Sequence, residues 1–122
     1  MKLIVQGKQM RVGAWLREYA EEHVARRLRR FADSEAAVLR IEMGRDNGNR
    51  GESNEVHLTL RMPRARIIEI EETRPDLYQA LDAAADRLVR AAKKEREKMR
   101  QPKGRPKRDL AKVKRLRALL GQ

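Results

Sequence analysis

The feature of this sequence that most constrains its fold is a long stretch of helical periodicity over residues 73–100. Its apolar residues recur three or four positions apart, which places them on one face of an α-helix. This stripe consists of Leu77, Leu81, Ala84, Leu88 and Ala91, extended by Ala85 and Ala92. Thr73 and Asp76 are both candidate N-caps, and Pro75 suits the first turn. Such an amphipathic helix requires a second layer on which to bury its stripe.

Three segments with alternating polarity predict strands that supply part of that layer. In residues 37–44 the inward side chains are Leu39, Ile41 and Met43, and in residues 55–62 they are Val56, Leu58, Leu60 and Met62. A third strand lies in residues 66–72, with Ile68 and Ile70 as its inward pair. Residues 44–54 are rich in Gly and Asn and predict a loop.

The N-terminal part predicts one more strand and one more helix. Residues 2–6 are apolar and β-branched and end at Gly7, as a short strand does. From Ala14 to Phe31 a helical stripe follows, with Gly13 as its N-cap; it is formed by Leu16, Ala20, Val24, Leu28 and Phe31. The element order β-α-β-β-β-α predicts an α+β two-layer sandwich, with a four-stranded sheet and two helices on one face.

The positive net charge of the chain predicts a polyanionic partner. The uneven distribution of that charge divides the chain into a folded domain and a basic tail. The 122 residues carry a net charge of +12, of which residues 101–122 contribute +7. The sequence "QPKGRPKR" reads as a linker, so we expect a folded domain over residues 1–100 and a basic tail over 101–122. Within the tail, a short helix is expected over 109–120, with Asp109 as its cap. The candidate tail contacts to RNA or to a protein partner are Lys107, Arg108, Lys112, Lys114 and Arg115.

On both helices of the domain the basic residues are sorted into lines. Arg87, Arg90, Lys94 and Lys98 fall within one narrow arc of the second helix, and Tyr19, His23, Arg26 and Arg30 follow one line on the first. If the helices lie side by side, the two lines form one continuous basic surface suited to a phosphate backbone. Around the turn after the third strand, Arg61, Arg64 and Arg66 extend that surface. The alternative is that these cations are an ordinary solvated helix surface stabilised by i,i+4 pairs.

Other kinds of site find little support in the sequence. Cysteine is absent, and the two histidines, His23 and His57, lie on different elements, so neither a metal site nor a cofactor is expected. No nucleophile–base arrangement or phosphate loop suggests an enzyme or a small-molecule substrate. The apolar run at the N-terminus is too short for a signal peptide, and no segment approaches a membrane span, so a cytoplasmic protein is expected.

Three stretches of residues 1–100 carry a resemblance to a known family. They are "LIVQGKQM", "LREYAEEHVARRLRRF" and "PDLYQALDAAADRLVRAAKKEREK", in this order and spacing. With them the chain resembles the short form of the ribosome hibernation-promoting factor and ribosome-associated inhibitor A family, also called sigma-factor modulation proteins. The resemblance implies a fold similar to double-stranded-RNA-binding domains.

The resemblance also implies a function and a set of contacts. Family members bind the small ribosomal subunit in the channel used by messenger and transfer RNA, and they silence translation during stress or stationary phase. Carried over by position, the residues that bind ribosomal RNA are Arg26, Arg30, Arg87, Arg90, Lys94 and Lys98. The basic tail differs from that of family members, and ribosomal proteins are a further candidate partner for it. The alternatives are a general double-stranded-RNA-binding module and a protein adaptor.

Overall fold

The computed structural model describes residues 1–32, 34–46 and 53–100. The strands are β1 Lys2–Lys8, β2 Val38–Asp46, β3 Ser53–Arg61 and β4 Ile68–Arg74. The first helix consists of three consecutive segments, Ala14–Ala20, Glu21–Ala25 and Arg26–Leu28, and the second helix is Leu77–Arg100. The predicted order β-α-β-β-β-α is confirmed. The predicted tail helix and the candidate tail contacts Lys107, Arg108, Lys112, Lys114 and Arg115 lie outside the described residues, as does most of the predicted loop.

The four strands form one mixed sheet in the order β1-β2-β3-β4. β1 pairs with β2 in parallel, because the first helix returns the chain to the end at which β1 began. The pairs β2–β3 and β3–β4 are antiparallel. Lys2 lies opposite Val38, and Val38 lies opposite Arg61, so these residues mark one end of the sheet. This arrangement is the predicted α+β sandwich.

The core lies between one face of the sheet and the two helices. Its strand residues are Val5, Leu39, Ile41, Met43, Val56, Leu58, Leu60 and Ile70. Its helix residues are Leu16, Ala20, Val24, Ala25, Leu28, Ala80, Leu81, Ala84, Ala85, Leu88 and Ala92. The alternation of the strands and the stripes of the helices therefore selected the buried faces correctly, except that Ala91 is half-buried and lines the groove of Arg90 and Lys94. At the margin of the core, Phe31, Met62, Ile68 and Leu77 are partly buried.

The second helix begins at an aspartate cap. The side-chain oxygen Oδ1 of Asp76 accepts a hydrogen bond from the backbone N–H of Tyr78 at 2.9 Å, and its carbonyl accepts one from Ala80 at 3.0 Å. Of the two predicted caps, Asp76 is therefore the cap, and Thr73 belongs to β4. Pro75 precedes the cap instead of lying in the first turn, because β4 continues as far as Arg74.

The middle of the first helix is a π-helical segment. Over Glu21–Ala25 the turns are wider than in an α-helix, and the N–H of Arg26 donates to the carbonyl of Glu21, five residues back. Gly13 is the N-cap, as predicted, but the helix ends at Leu28 and not at Phe31. The N–H groups of Phe31 and Ala32 both donate to the carbonyl of Leu28 in a tightened final turn, at 2.8 and 3.0 Å. The π-helical segment shifts the angular position of every residue that follows it.

Candidate nucleic-acid interface

The two helices run in the same direction and are joined by side-chain contacts along their length. The hydroxyl of Tyr19 donates to the carboxylate of Asp82, with 3.0 Å to each oxygen. One turn further along the second helix, Nη2 of Arg27 lies 2.8 Å from Oδ1 of Asp86. At the far end, Nη1 of Arg96 donates to the carbonyl of Arg30 at 2.9 Å. Because the residue numbers of both helices rise together along these contacts, their C-terminal ends lie at the same end of the molecule.

Tyr19 and His23, the first two members of the predicted line, belong to this helix–helix contact. Their rings stack at a centroid distance of 4.0 Å, and Tyr78 packs against Tyr19 edge-on at 4.7 Å. Nδ1 of His23 lies 4.0 Å from Asp82. Burial raises the pKa of Tyr19, and the hydrogen bond to Asp82 and the charge of that carboxylate add to the increase. The cluster keeps Tyr19 neutral as a hydrogen-bond donor, which is a role within the fold.

The basic line of the second helix lies on the flank that faces β4. Nη1 of Arg87 donates to the carbonyl of Glu71 at 2.8 Å and lies 3.0 Å from Oε1 of Glu72. Arg90 and Lys94 line the same shallow groove as Arg87, with Ile70 of β4 at its base. Nε of Arg90 also donates to the carbonyl of Asp86, one turn earlier, at 3.3 Å.

The two predicted lines therefore do not run side by side along their whole length. In the N-terminal half of the helix layer, Asp82 and Asp86 lie between them and contact the first helix. The predicted continuous surface is interrupted in this half, because helical spacing gives a residue's position around its own helix but not which flank faces the neighbour. Arg26 and Arg30 do border the second helix, in a groove that also contains Val89.

Lys93 connects the two lines in the C-terminal half of the layer. It follows Val89, which lines the groove of Arg26 and Arg30, by one helical turn. Helical spacing therefore places Lys93 on the side of the second helix that faces this groove. It also lines the groove of Arg90 and Lys94 on the other side. Lys93 is exposed and makes no ion pair with any residue that the structure describes. At this end of the layer, basic side chains therefore extend from one helix to the other.

The turn between β3 and β4 adds further cations at the same end of the molecule. This turn lies at the end of the sheet where β1 and β2 begin, and the first helix finishes just before β2. Both helix C-termini and the β3–β4 turn thus share one end, which we call the basic pole. Its exposed cations are Arg26, Arg30, Arg61, Arg64, Arg66, Arg90, Lys93, Lys94 and Lys98. Of these, Lys98 has an ion-pair partner, Glu95 at 3.6 Å.

The solvent-facing side of the sheet has a mixed charge pattern. His57 lies there, as its alternation predicts, with its ring nitrogens 4.0 Å from Glu69 and 3.9 Å from Glu71. Arg40 contacts Glu42 at 3.1 Å and donates to Gln6 at 2.9 Å. Within residues 1–32, 34–46 and 53–100 no group of three metal-binding side chains is brought together. No described helix is long and apolar enough to cross a membrane.

Sequence reasoning missed three residues of the helix layer. Arg27, which follows the π-helical segment, contacts Asp86 of the second helix. Arg96 lies outside the predicted basic line, yet it donates to the carbonyl of Arg30 and lies 5.9 Å from the ring centre of Phe31. Lys93 also lies outside the predicted line, but it lines the groove of Arg90 and Lys94. These contacts depend on how the two helices pack against each other, and no pattern within either helix predicts that packing.

Comparison with known proteins agrees with this architecture. Residues 3–100 match the family described as Sigma 54 modulation protein / S30EA ribosomal protein. A Ribosome hibernation promotion factor of Deinococcus radiodurans is 34% identical over 90 residues. The match covers 74% of this chain but 46% of the relative, so the chain spans about half the relative's length.

Two solved structures share the fold. The N-terminal domain of Thermus thermophilus Protein Y superposes with a TM-score of 0.65 at 25% identity, covering 77% of this chain and 98% of that one. A ribosomal subunit interface protein from Coxiella burnetii gives a TM-score of 0.61 at 18% identity, with coverages of 77% and 96%. With the family match covering most of the sequence, the chain belongs to the Sigma 54 modulation protein / S30EA ribosomal protein family.

Proposed function

We propose that this protein binds ribosomal RNA of the small ribosomal subunit, in the channel used by messenger and transfer RNA, and silences translation during stress or stationary phase. The observation that carries the proposal is the basic pole, where cations from both helices and from the β3–β4 turn meet at one end of the domain. Membership of a ribosome-associated family and similarity to a hibernation promotion factor point to the same partner.

Within the basic pole, the cations that lack a bonded partner are the ones suited to hold phosphate. Arg26, Arg30, Lys93 and Lys94 are exposed, and none has an ion-pair partner in the described part of the chain. Arg90 has one nitrogen bonded to a carbonyl and its others free. Arg87 holds β4 through one nitrogen, so its contribution to RNA is smaller. Binding by such residues releases counterions and weakens steeply as salt rises.

Silencing then follows from occupancy of the channel, without catalysis. When the basic pole is anchored on ribosomal RNA, the rest of the domain excludes messenger and transfer RNA by its volume. The protein would work in the cytoplasm, where its partner is. The tail, residues 101–122, adds cations from Lys107 to Arg115 that would extend the contact along RNA or to ribosomal proteins.

The direct test is co-sedimentation with purified small subunits. We expect the triple variant Arg26→Glu, Arg90→Glu, Lys94→Glu to lose binding while its thermal unfolding stays unchanged. The matched control, Lys8→Glu, Arg11→Glu, Arg45→Glu, reverses three exposed cations at the opposite end of the sheet and should still bind. Equal binding of both triple variants would contradict the proposal.

A competition experiment separates ribosome recognition from general binding of double-stranded RNA. Free duplex RNA is added in molar excess to the complex with small subunits. A ribosome-specific factor stays on the subunit, whereas a general duplex binder is displaced in proportion to the added phosphate. Displacement at a stoichiometric amount of duplex would favour the general module.

A further inference from the structure

The turn between β3 and β4 has a backbone conformation that its sequence does not favour. The N–H of Ala65 donates to the carbonyl of Met62 at 3.3 Å, which closes a four-residue turn with Pro63 and Arg64 in its centre. Arg64 has a φ of 61°, in the left-handed region. A proline followed by a residue with positive φ is the pattern of a type II turn, in which the second central position is normally Gly or Asn. A side chain with a Cβ destabilises this position.

The arginine side chains of this turn have no bonded partner among the described residues, a property that they share with Arg26 and Arg30. Arg61, Arg64 and Arg66 are exposed, and none of their side chains has a hydrogen bond or ion pair within the described residues. The described arginines that do have side-chain partners are Arg27, Arg29, Arg40, Arg74, Arg87, Arg90 and Arg96. Next to Arg66, Ile67 is 54% exposed, which is unusual for a large apolar side chain in this fold. The turn therefore exposes one apolar side chain and three guanidinium groups that have no partner among the described residues.

We propose that the β3–β4 turn makes a second RNA contact within the basic pole, beside that of the helix cations, and that Arg64 in this turn is a phosphate ligand. The inference rests on the proposed function, since it assumes that ribosomal RNA is the partner at the basic pole. Arg64 and Arg66 would bind phosphates through charge-assisted hydrogen bonds. Ile67 would pack against a ribose, in the shallow minor groove where side chains reach the RNA backbone.

The backbone strain at Arg64 is what distinguishes this contact from ordinary solvated charge. Glycine would suit the turn better and would stabilise the folded state, but it has no side chain with which to hold a ligand. A strained non-glycine residue at the tip of an exposed turn is typical of positions where the side chain has a function. RNA is favoured over an acidic protein because the turn shares its end of the molecule with the cations of both helices.

The test uses two substitutions at Arg64 and one matched control. Arg64→Gly removes both the charge and the strain, whereas Arg64→Lys keeps the charge. The control is Gln9→Gly, because Gln9 has the same kind of backbone, with a φ of 57°, at the opposite end of the sheet. Binding to purified small subunits is measured at several salt concentrations, and thermal unfolding is measured in parallel.

We expect both glycine variants to unfold at a Tm about 2–5 °C higher than the native protein. We also expect Arg64→Gly alone to bind roughly five- to tenfold more weakly, with its slope of log K against log salt reduced by about one. Arg64→Lys should bind nearly as the native protein does. Native affinity and slope in Arg64→Gly would overturn the inference, as would a weaker affinity with an unchanged slope, which indicates a partner other than phosphate.

The same experiment distinguishes this inference from the proposed function. If the native protein does not bind small subunits at all, the proposed function fails. If the native protein binds, the triple helix variant does not, and Arg64→Gly binds as well as the native protein, the proposed function stands and the second contact is refuted.

Discussion

Replacing Tyr19 by Phe isolates one hydrogen bond between the two helices. The hydroxyl lies 3.0 Å from both oxygens of Asp82, but a single O–H donates well to one oxygen at a time. A hydrogen bond to a charged group contributes about 1.5–3 kcal/mol. The side chain of Asp82 is 52% exposed, and solvent therefore lowers this to ~1 kcal/mol. Phe keeps the ring that stacks on His23, so we expect Tyr19→Phe to lower the free energy of unfolding by ~1 kcal/mol.

The effect of this substitution depends on pH in a defined direction. Burial and the contact with Asp82 raise the pKa of Tyr19 above the ordinary value of 10.0. A raised pKa means that the folded state holds the proton more tightly, so the stabilisation is complete below the unfolded pKa and is lost as pH rises through the folded pKa. We therefore expect a constant difference between the two proteins from about pH 7 to pH 9 and a shrinking one above about pH 10.

Urea unfolding of both proteins at a series of pH values measures this difference directly. The ionisation of lysines at high pH affects both proteins alike and cancels when they are compared. The matched control is Tyr78→Phe, because the hydroxyl of Tyr78 has no hydrogen-bond partner in the described part of the chain. A difference for Tyr19→Phe that grows above pH 10, or an equal loss in Tyr78→Phe, would refute the reasoning.

Two further substitutions test the entry to the first helix and the basic pole. Gly7 pairs with Met43 inside the sheet, and a Cβ on it would collide with the carbonyl oxygen of Met10. Gly7→Ala should therefore lower the free energy of unfolding by about 2–3 kcal/mol in urea, whereas Gly13→Ser, whose Cβ enters open space, should not. Lys93→Gln should leave the Tm unchanged and reduce the slope of log K against log salt for subunit binding by about one, the loss of one phosphate contact. An unchanged slope would exclude Lys93 from the interface.

The layers of this fold could be predicted because each has a local periodic signal. In β2 and β3 the alternation of apolar and polar residues specifies which face is buried, and the buried residues agree from Leu39 to Leu60. The stripe of the second helix likewise selects Leu81, Ala84 and Leu88 correctly. A period of two or of 3.6 residues is a property of a single strand or helix, and it can therefore be seen in one sequence without an alignment.

The arrangement of the candidate site could not be predicted to the same depth. Arg27 borders the second helix as well as Arg26, and it follows the π-helical segment over Glu21–Ala25, which no residue pattern predicts. Whether Arg87 faces the first helix or β4 depends on how the second helix is rotated on the sheet. That rotation is fixed by the packing of Leu81 and Leu88 against the strands, which is a tertiary property.

Helix dipoles provide a structural reason for cations at the ends of helices, and they must be weighed against RNA binding. Lys and Arg in a last turn stabilise an isolated helix, so the positions of Arg26, Arg30 and Lys98 alone do not require a ligand. The dipole effect falls off within one turn and cannot act on Arg61, Arg64 or Arg66, which lie on a strand end and a turn. These three share the end of the molecule with the helix cations because of the topology of the sheet. The helix ends and the β3–β4 turn both contribute positive charge to one end of the molecule. Helix stability cannot explain the charge of the turn, so a common polyanionic partner is the better explanation.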